Sequence, residues 1–259
     1  IKKWLPANLY MGGQEHAVLH LMYTGFTTLA LHDMGYCDFE EPFKKFRAHG
    51  LITKEGSKMS KSKGNVVNPD EYFLKYGADT VRTYLMFIGP LSEGGDWSDK
   101  GIVGIYRFLN RVWNLSLSVA KQDSTLDAFR HKTIKKVTED LESLHYNTAI
   151  AALMEFSNEL QKQEKVAKKD IEVLLVLMAP FAPHITEELW HELGNKNSIH
   201  NETWPEYDAS AVREDKIRLI IQINGKVRDV IEMSQHVSES EVKEEALRSK
   251  KVESWLNGK

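Results

Sequence analysis

A short string of lysines and serines carries the clearest chemistry in the sequence. It reads KMSKSKG from Lys58 to Gly64, so that three lysines fall within six positions. Lysine places a compact positive charge on a flexible stem, which suits a polyphosphate whose charge moves during a reaction, and serine hydroxyls and loop amides add hydrogen-bond donors. Most lysine clusters are solvated surfaces or localisation tracts, but Met59 interrupts this one and a helix start follows it directly. We therefore predict a mobile, strongly cationic loop that suits a polyphosphate and is placed by its flanking elements, rather than a tail.

A second constellation lies earlier in the chain, where Gly12 and Gly13 are followed by Glu15, His16 and His20. Two glycines at a strand-to-helix switch allow a ligand to approach the backbone, and a carboxylate beside them can hold ribose hydroxyls. The i, i+4 spacing of the histidines puts both imidazoles on one face of a predicted helix. That spacing also suits two metal ligands, but no third ligand is evident and Glu15 precedes His16, so the zinc-protease pattern is not met. Either histidine alone would more often be structural; together with the glycines they favour a ligand pocket.

Composition excludes several classes of protein. The chain has 259 residues, of which 42% are hydrophobic and 27% charged, and this excludes collagen-like and disordered chains. A net charge of -3 gives no overall nucleic-acid signal, so any such surface must be local. The single cysteine, Cys37, excludes an internal disulfide framework, and no apolar run approaches the roughly 18 residues of a membrane span. We therefore expect a cytoplasmic protein without a membrane partner.

The elements that must position the two constellations have an α/β pattern. Extended and helical signals alternate over the first 80 residues, and each is bounded by glycine, proline or a capping residue. In chain order they are an extended run over Asn8–Gly12, a helix from Gln14 towards Asp33 that stops at Gly35, a strand at Leu51–Thr53, and a helix that begins with Asn68 as N-cap and Pro69 as its first residue.

From about Ser98 the apolar residues follow a helical period. Five helices with short connections are predicted, which is typical of a bundle. Their expected core-facing residues are, helix by helix, Ile102, Ile105, Leu109, Val112 and Trp113; Ile134, Val137, Leu141 and Leu144; Ala149, Leu153, Phe156 and Leu160; Ile171, Leu174, Leu175 and Met178; and Ile185, Leu189 and Leu193. Trp113 and Trp190 are accordingly predicted to be core residues rather than platforms for stacking bases.

The last part of the chain returns to a strand pattern. Ile217–Ile223 and Lys226–Met233 read as two strands joined by Asn224-Gly225, which is the strongest short hairpin signal. Ser238 and Glu241 form a capping box that would open a final helix. The predicted fold is therefore mainly α with α/β parts, and we place domains at 1–90, 91–212 and 213–259.

The strings in which these residues occur resemble one family. KMSKS at Lys58–Ser62, with its GN continuation, is similar to the signature loop of the class I aminoacyl-tRNA synthetases. Further strings resemble the leucyl-tRNA synthetase family within that class, and the pattern GGxEHAxxHLxY is what narrows the resemblance to leucine. These strings are WLPANLYMGGQEHAVLHLMYTGF from Trp4, EEPF from Glu40, DW…G…YRFLNRVWNL from Asp96 to Leu115, LMAPFAPHITEELW ending at Trp190, and IQINGKVR from Ile221.

The resemblance implies a domain plan and roles for the candidate residues. Residues 1–90 would be the C-terminal half of a Rossmann-like catalytic domain, 91–212 a helical tRNA-binding domain of the anticodon-binding type, and 213–259 part of a small C-terminal α+β domain. Lys58 and Lys61 would neutralise charge on the triphosphate as catalytic residues, Glu15 would bind the adenosine ribose, and His16 and His20 would line the aminoacyl-adenylate pocket. Other expected ATP- and adenylate-binding residues are Gly12, Gly13, Met59, Ser60 and Ser62.

The reaction implied by the resemblance has two steps. Leucine and ATP give leucyl-adenylate and pyrophosphate, and the leucyl group then moves to the 3′-terminal adenosine of tRNA(Leu). ATP is thus a substrate, Mg²⁺ is expected to accompany it, no resident metal site is expected, and the full-length protein is expected to be a monomer. The alternatives are a valyl- or isoleucyl-tRNA synthetase and, from another class, a non-catalytic tRNA-binding or assembly module.

Departures from the family pattern predict that the chain is a fragment. Residue 1 is Ile rather than Met and no signal-peptide pattern is present, so we expect the chain to begin inside a longer protein. The other class signature, a His-x-Gly-His string, and the inserted editing domain have no counterpart in the sequence, and the expected closing strands of the C-terminal domain are missing. We expect a C-terminal fragment that is inactive by itself.

Overall fold

The computed structural model describes residues 3–120, 123–212, 216–234, 239–249, 251–252 and 255, and the statements below concern these residues. They fall into two compact units, Ile1–Tyr207 and Asp208–Lys259. The first unit contains an α/β part followed by a helical bundle, and the second contains a hairpin and a helix. The coarse prediction of a mainly helical chain with α/β parts is therefore confirmed. No helix in the described ranges is both long and apolar enough to cross a membrane.

The first two strands form a parallel pair. Strand β1, Tyr10–Gly13, lies beside β2, Phe46–His49, with Gly13 opposite His49. Helix α1, His20–Asp33, follows β1. The predicted helix from Gln14 is only partly correct: Gln14–Ala17 is a 3₁₀ turn, and Leu19, with ψ of -97°, separates it from α1.

A second, three-stranded sheet carries the lysine-rich string. Strand β3, Leu51–Lys54, confirms the predicted strand and lies between β4, Ser57–Lys58, and β5, Gly94–Asp96. It pairs antiparallel with β4 and parallel with β5. The backbones approach so closely that a Cβ on Gly50 would overlap the backbone of Glu93, and a Cβ on Gly94 would overlap that of Leu51. Only glycine allows this approach of the chain to itself.

Two helices connect these strands to the bundle. Helix α2, Pro69–Tyr76, begins as predicted, with the Asn68 side chain accepting from the Asp70 amide at 3.2 Å. Helix α3, Ala78–Phe87, was not predicted, because Asp79, Thr80 and Thr83 share its buried face with Val81 and Tyr84 and interrupt the apolar stripe. These polar groups are satisfied internally; for example, Asp79 accepts from the Ile185 amide at 2.7 Å.

Five helices form the bundle, as predicted. They are α4, Asp99–Leu117; α5, Asp127–Glu142; α6, Tyr146–Gln161; α7, Lys168–Met178; and α8, Pro183–Glu192. Short strands β6, Val119–Ala120, and β7, Val166–Ala167, pair in parallel between them. One continuous core joins the predicted faces, from Val81 and Trp97 to Ile199.

Two of the predicted core residues lie elsewhere than expected. Trp113 is 36% exposed, whereas Trp190 is 7% exposed. Leu144 lies beyond the end of α5 with φ of 61°. Leu193, the residue that follows α8, packs against the core as expected. The helical period places Trp113 at the margin of the apolar stripe of α4, so its ring is only partly covered.

A buried ion pair fixes α5 against α7. The Arg130 guanidinium donates to Asp170 at 2.6 Å, and these two side chains are 1% and 3% exposed. Asp127 and the Ser124 hydroxyl, which donates to Asp170 at 2.6 Å, complete the network. A charge that is removed from water in this way depends on its partners.

The second unit is an antiparallel hairpin and a helix. Strand β8, Lys216–Ile223, pairs with β9, Lys226–Ser234, around Asn224 and Gly225, which both have positive φ. This confirms the predicted hairpin. Helix α9, Glu239–Arg248, follows. The predicted capping residue Ser238 lies outside the described residues.

We expect Asp170→Asn to lower the free energy of unfolding by about 3 kcal/mol or more, because it leaves the buried Arg130 charge poorly compensated. The matched control is Glu159→Gln, which removes an exposed ion pair with Lys162 of the same 2.6 Å length in the same bundle. That change should cost less than about 1 kcal/mol. Urea unfolding of both variants measures the difference, and equal effects would contradict the role given to the buried pair.

Candidate active site

The glycine constellation lies at the carboxyl end of the first sheet. Gly13 ends β1 and His49 ends β2, and the two residues are register partners in the parallel pair. Ligands of open α/β sheets bind outside the carboxyl ends of the strands. The predicted position of Gly12 and Gly13 at a strand-to-helix switch is thus found, and the structure adds His49, to which the sequence analysis gave no role.

Glu15 extends an exposed carboxylate over this edge. The carboxylate lies against Gly13, because a Cβ on that glycine would overlap it. A hydrogen bond from its own backbone amide lowers the pKa of Glu15, and nearby positive charge, including that of Lys58, lowers it further. Glu15 therefore stays ionised, and it lies within electrostatic reach of the first lysine of the signature string.

The two histidines are close together although they do not share one helix. His16 belongs to the 3₁₀ turn and His20 begins α1, and their ring centroids are 6.5 Å apart at 89°. The Nδ1 atom of His20 lies 2.9 Å from the Tyr10 hydroxyl. The Nδ1 atom of His16 is shielded from solvent and has no hydrogen-bond partner among the described residues. Such an unsatisfied polar atom is unusual in a protein interior.

The lysine-rich string forms a loop, which we call the signature loop, from Lys58 to Gly64. Lys58 lies on β4, and Lys61–Lys63 form a 3₁₀ turn. The side chains of Lys58, Lys61 and Lys63 are all exposed. Met59 is half-buried and packs against the hydrophobic core. The Ser60 and Ser62 hydroxyls lie 2.8 Å apart. The cationic side chains are therefore displayed to solvent while the loop backbone is anchored.

Asn65 closes the signature loop from behind. Its side-chain oxygen accepts from the Ser60 amide at 2.8 Å, and its side-chain nitrogen donates to the Lys58 carbonyl at 3.3 Å. The asparagine of the GN continuation thus spans the loop and limits its conformations. In the sequence this residue is only a signal of the family, and its role in closing the loop is visible only in the folded chain.

A strained turn precedes the signature loop. Glu55 and Gly56 connect β3 to β4 with φ of 54° and 68°. Two central residues with positive φ are characteristic of a type I′ hairpin turn, where asparagine followed by glycine is preferred. Glutamate at the first position carries a Cβ penalty that glycine or asparagine would reduce.

Metal binding has little support among the described side chains. They contain no group of three or more histidine, cysteine, aspartate or glutamate residues that could hold a metal ion. Mg²⁺ that accompanies a nucleotide needs only one or two protein carboxylates, so the expected Mg²⁺ stays a prediction.

Two family models match the chain. Residues 1–98 match the family described as tRNA synthetases class I (I, L, M and V), and residues 123–243 match the anticodon-binding domain of tRNA ligase. The first match contains both the glycine constellation and the signature loop. The chain therefore belongs to the class I aminoacyl-tRNA synthetases.

Similar proteins indicate which family within this class the chain belongs to. The leucine–tRNA ligase of Dehalococcoides mccartyi strain CBDB1 is 48% identical over 100% of this chain and 34% of that protein. The leucine–tRNA ligase of Thermotoga maritima is 42% identical over 100% of this chain and 35% of that protein. Within its class the chain is a member of the leucine–tRNA ligase family, and it spans about a third of the length of these relatives.

Solved structures agree with this assignment. A ternary complex of the Agrobacterium radiobacter K84 LeuRS with tRNA and LeuAMS matches with a TM-score of 0.77 and 35% identity, over 99% of this chain and 36% of that chain. The Mycobacterium tuberculosis methionyl-tRNA synthetase bound by methionyl-adenylate matches with a TM-score of 0.58 and 21% identity, over 75% of this chain and 46% of that chain. The second likeness shows the fold alone.

We expect Glu55→Asn to raise the free energy of unfolding by up to about 1 kcal/mol, because asparagine tolerates the left-handed backbone of the turn. Glu55→Gln is the control, since it removes the charge but keeps the same backbone penalty, and its effect should stay within about 0.5 kcal/mol. Urea unfolding measures both. If the two variants were equally stabilised, charge rather than backbone conformation would be the cause.

Proposed function

We propose that this chain is part of a leucine–tRNA ligase that activates leucine with ATP and transfers the leucyl group to tRNA(Leu). The observation that carries the proposal is the similarity of the whole chain to leucine–tRNA ligases, with an intact signature loop whose lysines are exposed. The glycine constellation at the carboxyl end of β1 is proposed to bind the same ATP molecule, and Lys58 contributes to the lowered pKa of Glu15. Similarity to leucine–tRNA ligases along the whole chain supports the choice of amino acid over valine or isoleucine.

The proposed domain plan follows the sequence-based boundaries. Residues 1–90 contribute the C-terminal half of a Rossmann-like catalytic domain, 91–212 a helical tRNA-binding domain, and 213–259 part of a C-terminal α+β domain. The exposed and intact signature loop favours an active enzyme over a non-catalytic assembly module. As a translation enzyme, the full-length protein is proposed to act in the cytoplasm as a monomer, and the single cysteine suits a reducing compartment.

In the first step a leucine carboxylate oxygen attacks the α-phosphorus of ATP, and the bond to the β-phosphate oxygen breaks to release pyrophosphate. Catalysis of such a transfer consists mainly of positioning and of stabilising charge. The Gly12–Gly13 backbone and the ionised Glu15 carboxylate would hold the adenosine, with the carboxylate accepting from ribose hydroxyls. His16 and His20 would line the adenylate pocket.

The signature loop would act on the leaving group. Lys58 and Lys61 would neutralise the negative charge that builds on pyrophosphate, while the Ser60 and Ser62 hydroxyls donate to phosphate oxygens. Met59 would hold the loop through its contact with the core. Lys61 is the stronger candidate for a transition-state contact, because it lies on the exposed 3₁₀ turn of the loop, whereas Lys58 lies on strand β4.

The bundle would supply part of the tRNA surface. Side chains of α4 and of the end of α6 line a polar groove on the bundle. Its members include Arg107, Asn110, Arg111, Asn114, Gln161 and Gln163. Arginine and amide side chains are common donors to nucleic-acid phosphates. The match of residues 123–243 to the anticodon-binding domain of tRNA ligase supports a role of the bundle in tRNA binding, and Gln161 and Gln163 of the groove lie within that match.

In the complete enzyme, Lys61→Ala should lower the rate of adenylate formation roughly a hundredfold or more, because a preorganised charge on the leaving group is lost. Leucine binding should stay nearly unchanged, since the contact forms chiefly in the transition state. Single-turnover formation of leucyl-adenylate measures the rate. The Lys61→Arg variant should regain only part of the rate of adenylate formation, because guanidinium lacks the compact charge of ammonium.

Lys63→Ala is the matched control for Lys61. Both lysines are exposed and lie at the two ends of the same 3₁₀ turn. Lys63, however, lies outside the KMSKS string. A solvated surface lysine should change the barrier by no more than about 0.5 kcal/mol. Small and equal effects at both positions would reduce the signature loop to a basic patch and overturn its proposed role.

The chain should bind tRNA weakly and with a salt dependence, because phosphate neutralisation releases counterions. Arg107→Ala should reduce the slope of log affinity against log salt by about one. Titration of labelled tRNA at several salt concentrations measures this slope. Lys196→Ala is the control, because Lys196 lies beyond the end of α8 and outside the polar groove, and its loss should leave the slope nearly unchanged. An affinity that does not change with salt would contradict the proposal.

A further inference from the structure

We propose that Asp96 and Asp99 are positioning residues that fasten the hairpin carrying the signature loop to the start of the bundle, and so set the place of its lysines for adenylate formation. This inference rests on the proposed function of the loop. It concerns residues that touch neither substrate nor reacting atoms, and that act through the β3–β4 hairpin.

Asp96 holds the hairpin at both its strand and its turn. One carboxylate oxygen, Oδ1, accepts from the Thr53 hydroxyl at 2.6 Å and from the Gly56 amide at 2.9 Å. These two hydrogen bonds also lower the pKa of Asp96, the Thr53 bond most strongly. The carboxylate therefore remains an acceptor at neutral pH, and it stabilises a turn in which Glu55 has an unfavourable positive φ.

The partner of Asp96 lies directly opposite the first catalytic lysine. Thr53 and Lys58 are register partners in the antiparallel pairing of β3 with β4. The backbone carbonyl of Thr53 also accepts from the Trp97 amide at 2.8 Å. A displacement of Thr53 would therefore pass to Lys58 through a single strand pairing.

Asp99 fastens the same strand to the first bundle helix. It is the first residue of α4, after the N-cap Ser98. Its Oδ2 atom accepts from the Lys54 ammonium at 3.2 Å, and its Oδ1 atom accepts from the Trp97 indole at 3.0 Å and from the Tyr72 hydroxyl. Trp97 is 6% exposed and belongs to the bundle core, so this attachment point is rigid.

The signature loop itself has few other attachments. Its lysines are exposed, and the described anchors beyond the hairpin are Met59 and Asn65. A misplacement of about 1 Å in a catalytic group can cost about a hundredfold in rate. The hairpin attachment is therefore expected to affect chemistry more than binding.

The test uses the complete ligase and single-turnover formation of leucyl-adenylate. Asp96→Ala should lower the rate constant about tenfold to a hundredfold, with the leucine dissociation constant changed less than about twofold. Asp96→Asn retains a side-chain acceptor and should restore most of the rate. A merely structural role predicts instead parallel changes in rate and leucine binding in the folded variant, and that result would overturn the inference.

A double-mutant cycle tests whether Asp96 affects the rate of adenylate formation through Thr53. If Asp96 acts through Thr53, Asp96→Ala should have a much smaller effect in a Thr53→Val background than in the natural protein. Glu142→Gln, an exposed carboxylate at the end of α5, is the control and should change nothing. Full additivity of the two changes would contradict the proposed path. If the Asp96→Ala variant does not fold, the Thr53→Val variant tests the inference by itself. It should lower the rate of adenylate formation while leaving the leucine dissociation constant nearly unchanged, and parallel changes in both would overturn the inference.

The Lys61→Ala enzyme separates failure of this inference from failure of the proposed function. If Lys61→Ala lowers the rate while Asp96→Ala does not, the loop is catalytic and the positioning role is wrong. If neither change affects the rate, the function of the loop itself is wrong. A loss with both variants, with rescue by Asp96→Asn, supports the two together.

Discussion

The position of the signature loop depends on how closely the chain at Gly50 approaches the backbone of Glu93 and Gly94. No side chain fits between these segments, so β3 can pair with β5 at this distance only because glycines occupy the contact. The pairing brings Thr53 beside Asp96 and places Lys54 within reach of Asp99. The attachments of the β3–β4 hairpin to Asp96 and Asp99 depend on this one steric condition.

The hairpin is thereby built on the core of the bundle. Trp97 and Tyr84 belong to the same apolar cluster as the central residues of α4 and α6, and the Tyr84 hydroxyl accepts from the Ser98 amide at 2.8 Å. The strands of the α/β part are short, and little apolar surface is buried beneath them. The rigidity that an exposed cationic loop needs is consequently supplied by helices that follow it in sequence.

Charge at the candidate site is arranged with little burial. The three lysines of the signature loop and the Glu15 carboxylate are exposed, so they keep most of their hydration and cost little to hold in the folded chain. A backbone hydrogen bond is the main cause of the lowered pKa of Glu15, and Lys58 contributes to it. An open site of this kind can meet a polyphosphate without first breaking buried ion pairs, in contrast to the Arg130–Asp170 pair, which serves the fold.

The sequence by itself determined the features that depend on near neighbours. The Asn68 cap, the Asn224-Gly225 turn and the apolar periods of the five bundle helices are local signals, and the structure confirms each of them. The KMSKS string, which is also local, indicated the loop that carries the positive charge and the family that the chain resembles. Where a local signal was incomplete, prediction failed: α3 has polar residues on its buried face, and Trp113 lies at the margin of a stripe.

Only the tertiary structure decided which distant residues meet. Gly13 pairs with His49 across 36 positions, and Thr53 bonds Asp96 across 43. Neither pairing leaves a periodic trace in the sequence, because register is specified by an alternating hydrophobic pattern and these strands have only three or four residues each. The lysines could therefore be found from their spacing, whereas the aspartates that hold their hairpin became visible only when the chain was folded.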